Sequence, residues 1–215
     1  MDYRAAVALQ RRLAQDLDLH PPAGWTPRLV AGVDVSYEKH GDLFFAGVVV
    51  LSLDDLTPVT TATARGRVDF PYIPGLLSFR ELPILLDAFR QLPLVPDAVL
   101  VDGQGIAHPR RLGLASHLGL WLGLPTVGCA KSRLCGEHSP AGALRGDGVP
   151  LRHQGEEIGA VLTTRDNVKP LYISPGHRMD IATAVRLTLA CGRRYRLPEP
   201  TRQAHLLTNA LRRAG

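Results

Sequence analysis

Cysteine is scarce in this chain and carries no pattern. Cys129, Cys135 and Cys191 are odd in number and fit neither a disulfide framework nor metal-ligand spacing, so reduced thiols in a cytoplasmic protein are expected. Histidine does not cluster with them, which argues against zinc. No uninterrupted apolar run approaches the ~18–20 residues of a membrane span. Met1-Asp2-Tyr3-Arg4 opens no signal-like apolar region, so neither export nor a membrane role is expected. Low-complexity tracts, internal repeats and long polar linkers are missing too, and the 215 residues therefore fit one domain over 1–215, long enough to bury a core. Charge of one sign is not in large excess: 25 basic against 20 acidic residues leave a net +5. The sequence pI of about 9.4 favours a polyanionic partner only mildly, because the two signs are interleaved.

Periodicity supplies the elements. Ala6, Leu9, Leu13 and Leu17 recur at helical spacing over residues 3–18, and Pro21-Pro22 closes that helix. Residues 28–36, 42–53 and 57–68 read as strands, with a hairpin turn at Lys39-His40-Gly41-Asp42 and a second corner at Asp54-Asp55. An antiparallel meander of three strands is the predicted opening of the sheet. Helices over 79–91 and 111–122 then alternate with strands over 97–102 and 125–129, the pattern of buried parallel strands with crossover helices. A Gly-, Ala- and Pro-containing loop over 137–147 precedes short strands at 148–153, 157–164 and 170–174, and helices at 180–191 and about 200–213. The sum is a mixed α/β sheet with helices on both faces.

Chemistry concentrates in Val101-Asp102-Gly-Gln-Gly-Ile-Ala-His108-Pro-Arg110-Arg111. The apolar run Ala98–Val101 delivers a carboxylate to a strand end, a glycine-rich turn and a histidine follow, and two arginines open the next helical segment. Asp34 lies in mid-strand, where a charge costs free energy unless it is exposed, paired or bound to a cation. Alone it reads as a residue on a solvated sheet face; with Asp102 on a neighbouring strand, both acids can face one cation. Glu81 has two readings. Ser78-Phe-Arg-Glu81 spells a capping box, yet Pro83 is most comfortable at a first helical position, so the helix can start near Leu82 and leave Glu81 free to face the sheet. Lys131 at a strand end reads as a solvated cation, and His108 beside Pro109 as a helix-start histidine. Pro71-Tyr72-Ile73-Pro74 is stiffened by two prolines, which suits either a rigid core-capping turn or an apolar wedge for a base stack.

Four segments in order resemble the endonuclease V family: Gly32-Val-Asp34-Val-Ser, Pro71-Tyr-Ile-Pro-Gly75-Leu-Leu-Ser-Phe-Arg-Glu81, the Asp102 motif and Ala130-Lys131-Ser-Arg-Leu. The resemblance runs from about Ala31 to Arg202. It implies a ribonuclease H-like fold and a metal-dependent nuclease active in DNA repair. Asp34, Glu81 and Asp102 become ligands for Mg²⁺, with Mn²⁺ able to substitute, since hard oxygen donors suit both. Such a cation polarises a phosphodiester and activates water. Lys131 then neutralises charge on the phosphorane, and His108 donates a proton to a phosphate oxygen or the leaving group. His205 is the nearest candidate ligand on the last helix for a second metal. Tyr72, Ile73, Pro71 and Pro74 form the strand-separating wedge, while Gly75, Leu77, Gly105, Gly113 and Leu134 are candidate walls of a lesion pocket. Arg80, Arg110 and Arg111 are expected phosphate contacts.

The resemblance further implies recognition of deoxyinosine in double- or single-stranded DNA. The cut falls at the second phosphodiester on the 3′ side, leaving a 3′-hydroxyl and a 5′-phosphate. Inosine-containing RNA and flapped or branched DNA are the alternative substrates of the same metal site. A monomer is expected. His177 falls in a further segment like the family's without a derivable role, and His20, His40, His117, His138 and His153 show no partner in the sequence.

Overall fold

The computed structural model describes residues 2–38 and 41–214. Eight strands form one sheet in the order β3-β2-β1-β4-β5-β8-β7-β6. The meander is β1 (Leu29–Tyr37), β2 (Leu43–Ser52) and β3 (Pro58–Arg67), each antiparallel to the next. Of the turn expected between β1 and β2, Lys39 and His40 lie outside the described residues. Strands β4 (Ala98–Val101) and β5 (Thr126–Ala130) add parallel to β1. Strands β6 (Gly148–His153), β7 (Glu156–Leu162) and β8 (Leu171–Pro175) complete the sheet antiparallel to their neighbours, with β8 beside β5. Burial follows position. Central β4 and β5 are buried throughout and, Leu100 apart, consist of small and β-branched residues, whereas edge strands β3 and β6 begin with or contain proline and carry exposed polar residues.

Helices cover both faces. On one, α2 (Leu77–Phe89) and α3 (Leu114–Leu122) bury Leu82, Leu85, Ala88, Leu114 and Leu118 against Ala31, Val33, Val99 and Val101. On the other, α4 (Ile181–Ala190) and α5 (Glu199–Ala214) pack Ala184, Leu187 and Ala204 against Val30, Leu100, Val127 and Cys129. Helix α5 lies almost on the strand backbone: a Cβ at Gly32 would sit 2.0 Å from the carbonyl carbon of Pro200. This close approach puts the next residue on the same strand face, Asp34, against the middle of α5.

Three local expectations need correction. Helix α1 (Tyr3–Leu13) is followed by a 3₁₀ turn at Ala14–Asp16 and is over before the prolines. Its buried face is Ala6 and Gln10, not the leucine row. Helix α2 starts at Leu77, so Ser78 and Glu81 both lie inside it and form no capping box. Pro83 is an interior residue there; it lacks the N–H that would reach the Phe79 carbonyl. Helix α3 starts at Leu114, which leaves Arg110 and Arg111 in the preceding turn, Arg111 with a left-handed φ of 60°.

Histidine 117 is 3% exposed under α2, where its Nδ1 lies 3.0 Å from Ser78 Oγ. Burial pushes its pKa down to about 4. The unfolded chain therefore binds a proton that the fold refuses, and stability falls as pH drops from about 6.5 towards 4. His117→Gln removes this titration while keeping a polar partner for Ser78. Urea melts at pH 7 and 5 are expected to show an acid-induced loss smaller than wild type by roughly 1–2 kcal/mol.

Candidate active site

The carboxylates predicted to act together come from three elements: β1 (Asp34), α2 (Glu81) and the end of β4 (Asp102). Asp34 accepts a hydrogen bond on Oδ2 from Thr208 Oγ1, and His205 Nδ1 lies 3.3 Å from the same oxygen. Its side chain is 13% exposed, and burial raises its pKa despite Thr208; the charge of Asp102 raises it further. Asp102 is paired with the Lys131 ammonium. Among the described residues Glu81 has no such partner. Burial, then the charges of Asp34 and Asp102, push its pKa up to about 8, and Arg80 offsets only part of this. Arg80 itself stacks over the Phe44 ring at 4.8 Å, with Nε buried and unpaired among the described residues. That geometry weakens its reading as an open phosphate contact.

These shifts test whether a cation suits the site. Among the described residues no three His, Cys, Asp or Glu side chains are already gathered as a metal-holding group, so the three acids do not converge at ligand distance. They do sense one another's charge, and each makes its neighbours harder to ionise. A proton on Glu81 and the ammonium on Asp102 are what the ligand-free site uses instead. An all-oxygen donor set with surplus negative charge fits a hard divalent cation.

His108 has a different task from the one expected. It is 3% exposed; Nδ1 accepts from the Arg110 amide at 3.1 Å, so Nε2–H faces the Gly75 carbonyl at 3.1 Å. Burial and the adjacent arginines push its pKa down to about 4, which keeps it neutral with both nitrogens engaged. In this arrangement both ring nitrogens brace the backbone, which weakens the reading of His108 as a proton donor. Arg110 Nη2 donates to the same Gly75 carbonyl at 2.8 Å, and Gln10 Nε2 does so at 3.0 Å. Arg111 is spent on Glu156 at 2.7 Å and on the His153 carbonyl at 3.3 Å. Neither arginine presents a free guanidinium to phosphate.

Gly75 is the third residue of the turn Ile73–Leu76, with Pro74 before it and a φ of +79° that glycine adopts without strain. The three donors on its carbonyl hold the Pro71–Pro74 segment still and leave Tyr72 64% exposed. Ile73 is half-buried and Pro71 exposed. Beside this segment opens a pocket of about 340 Å³ whose walls include Tyr72, Gly75, Leu77, Gln104, Gly113 and Leu134. Gly105 is not a wall. It is buried where a Cβ would fall 1.9 Å from the Pro175 carbonyl oxygen, so its role is to let the loop lie against β8. A larger depression of about 720 Å³ between β3 and the end of α5 contains none of the motif residues.

The endonuclease V family model matches residues 11–206. The chain belongs to the endonuclease V family. Endonuclease V of Myxococcus xanthus is 53% identical to it over 209 residues, covering 97% of this chain and 89% of the relative. The crystal structure of Streptomyces avermitilis endonuclease V superposes with a TM-score of 0.93 at 45% identity, covering 99% of this chain and 94% of that one. Ciona intestinalis endonuclease V, solved in complex with a 23mer DNA containing an inosine followed by a ribo-adenosine, gives 0.88 at 26% identity, covering 98% and 97%. As an endonuclease V family member the chain is a nuclease, a hydrolase with the ribonuclease H-like mixed sheet.

Sequence reasoning missed Thr208, Gln10 and Gln104. Thr208 was findable, because a residue three positions after His205 shares its helix face. Gln10 and Gln104 act through partners distant in sequence, with no local signal.

A carboxylate held protonated up to pH 8 destabilises the fold above its unfolded pKa, because the unfolded chain releases that proton earlier. In EDTA, Glu81→Gln is therefore expected to be more stable than wild type at pH 8 by about 2–3 kcal/mol. The gap should shrink towards pH 5 in urea melts; equal stability at both pH values would remove Glu81 from the charge cluster.

Proposed function

We propose that this chain is a Mg²⁺-dependent DNA repair endonuclease directed at deoxyinosine, the product of adenine deamination, with Mn²⁺ able to replace Mg²⁺. It hydrolyses the second phosphodiester on the 3′ side of the lesion and leaves a 3′-hydroxyl and a 5′-phosphate. The observation that carries this reading is a juxtaposition. The loop that leaves β4 bears Asp102 of the carboxylate cluster, and its next two residues, Gly103 and Gln104, form a wall of a base-sized pocket. The inosine-containing DNA bound by the Ciona relative supports the choice of base.

Each part has a task that its geometry favours. Tyr72, rigidly held and exposed, enters the base stack, and the extruded base seats in the pocket behind it. Among the described residues no side chain caps the start of α2, and Leu77 and Ser78 from its first turn line the pocket. Backbone amides there suit the carbonyl that hypoxanthine has where adenine has an amine. Asp34, Glu81 and Asp102 would hold the metal, with His205 beside Asp34 for a second ion. The bound metal supplies positive charge that polarises the scissile phosphate. Thr208 fixes one oxygen of Asp34 and leaves the other free to act. Lys131, released from Asp102 when the site is filled, faces the charge that builds on phosphorus as water adds. The water oxygen becomes part of the 5′-phosphate, the bond to the 3′-oxygen breaks, and a proton passes to that oxygen.

An end-labelled duplex with one deoxyinosine, incubated with Mg²⁺ or EDTA and mapped to the nucleotide, tests this reading. A Mg²⁺-dependent nick one nucleotide beyond the inosine's own 3′ phosphate is expected. Cleavage of the matched inosine RNA but not the DNA would transfer the activity to RNA. Asp34→Ala is expected to cut at least about 100-fold more slowly while still binding the lesion. Tyr72→Ala should lose about tenfold in preference for inosine over intact duplex with its metal dependence unchanged. Discrimination equal to wild type would sink the wedge assignment.

A further inference from the structure

We infer that Gln104 is the residue with which the pocket reads a protonated ring nitrogen: its Oε1 accepts the N1–H of hypoxanthine. This rests on the deoxyinosine reading above and adds the atom that separates the lesion from its parent base.

The side-chain amide of Gln104 cannot turn freely. Its Nε2 donates to the Ser132 carbonyl at 2.9 Å, which forces the oxygen to the other side. The backbone is pinned as well, since the Gln104 carbonyl accepts from the Ala115 amide at 3.0 Å and the next residue, Gly105, donates to Ser174 Oγ at 2.8 Å. The residue lines the pocket together with Tyr72, Leu77 and Leu134. Its Oε1 is nonetheless buried and has no hydrogen-bond partner among the described residues. An amide oxygen left so is unfavourable by about 1–3 kcal/mol, and a fold this tightly hydrogen-bonded around it keeps it unpaired.

Only a donor relieves that oxygen. On the free edges of hypoxanthine, O6, N3 and N7 are acceptors, and N1–H is the one N–H donor. Adenine carries a lone pair at N1, which would face Gln104 Oε1 acceptor to acceptor, while its amino group would face the amides at the start of α2. The pocket thus opposes adenine at two adjacent positions where it accepts hypoxanthine. Discrimination of this kind is large because the wrong base leaves a buried polar atom unpaired. In the ligand-free pocket the oxygen is closed to water, so a wall gives slightly as the base seats. Leu134, 49% exposed and outside any helix or strand, is the wall free to do so.

The test compares single-stranded oligonucleotides carrying one deoxyinosine, one 2′-deoxynebularine (unsubstituted purine, with a lone pair at N1) or one deoxyadenosine. Affinities are read by fluorescence anisotropy in EDTA, so that no cleavage intervenes. Wild type is expected to prefer inosine. In Gln104→Met, which has no acceptor, the inosine-to-nebularine preference should fall by about 10–100-fold, mainly through weaker inosine binding. Gln104→Glu keeps an acceptor oxygen, whether or not the carboxyl protonates towards Ser132, and should retain the preference. Equal weakening on both bases in Gln104→Met would mean that Gln104 only supports the loop, and an unchanged ratio would overturn the inference outright. Should Gln104→Met fail to fold, loss of the preference in Gln104→Glu overturns it instead. A wild-type protein with no preference for inosine over adenine would bring down the deoxyinosine reading first, which keeps the two failures distinct.

Discussion

Placing three carboxylates within reach of one another's charge, mostly out of water, is the constraint around which this molecule is arranged. Such a cluster opposes folding, so each acid needs its own compensation. Asp34 has a hydroxyl and an imidazole from α5, Asp102 has an ammonium from beyond β5, and Glu81 has a proton. Each compensation dictates a piece of architecture. Helix α5 must lie close enough to β1 for Thr208 to reach Asp34, which explains glycine at position 32 under Pro200 and at position 47, where a Cβ would fall 2.9 Å from a Thr208 methyl. Strand β5 must end beside β4, and the parallel pairing of Val101 with Gly128 sets Lys131 a short reach from Asp102. Stability is given up at this site, and neutralising the surplus negative charge is what would restore it.

A second set of contacts holds recognition in place. The Gly75 carbonyl gathers Gln10, His108 and Arg110 from three parts of the chain, and the tyrosine segment has little freedom as a result. The proposed wedge would be useful only if it did not fold away when pressed against a base stack, and side chains that look like chemistry in the sequence supply stiffness here. The neutral state of His108 follows from the same packing: a proton on it would put a charge on a buried ring beside two arginines that are already positive.

Strands were legible in the sequence because burial on one or both faces writes a short-range pattern, and β1 to β5 fall within a residue or two of where alternation and apolar runs put them. The acids at Asp34 and Asp102 were legible for the same reason, as charges where a strand should not carry them. Glu81 misled in its local setting. Proline at 83 marks a helix start by propensity, but tertiary packing of Leu82 and Leu85 against the sheet holds a helix that begins at Leu77. The arginines at 110 and 111 misled because residue type reports charge and not occupancy. A guanidinium already bound to a glutamate or a backbone carbonyl looks the same in sequence as a free one. His108 is hard to read for a like reason, since its contact with the Gly75 carbonyl comes from a partner 33 residues away.

The connection between recognition and chemistry lies in the few residues after β4. Asp102 belongs to the charged cluster, Gly103 and Gln104 to the pocket, and Gly105 to the packing against β8. A Cβ at Gly105 has no room, and the Ile106 amide donates to the Pro175 carbonyl at 2.7 Å, so this segment cannot shift as a flexible loop would. On the proposed reading, a base held by Gln104 would therefore be fixed relative to the segment that carries Asp102. Asp102 is also the partner of Lys131, so the same segment sets the ion pair that, in the proposed mechanism, would open for the ammonium to face a phosphate. Under the proposed function, rigidity between the pocket and the carboxylates would let a correctly seated base be felt at the site of hydrolysis without any moving domain.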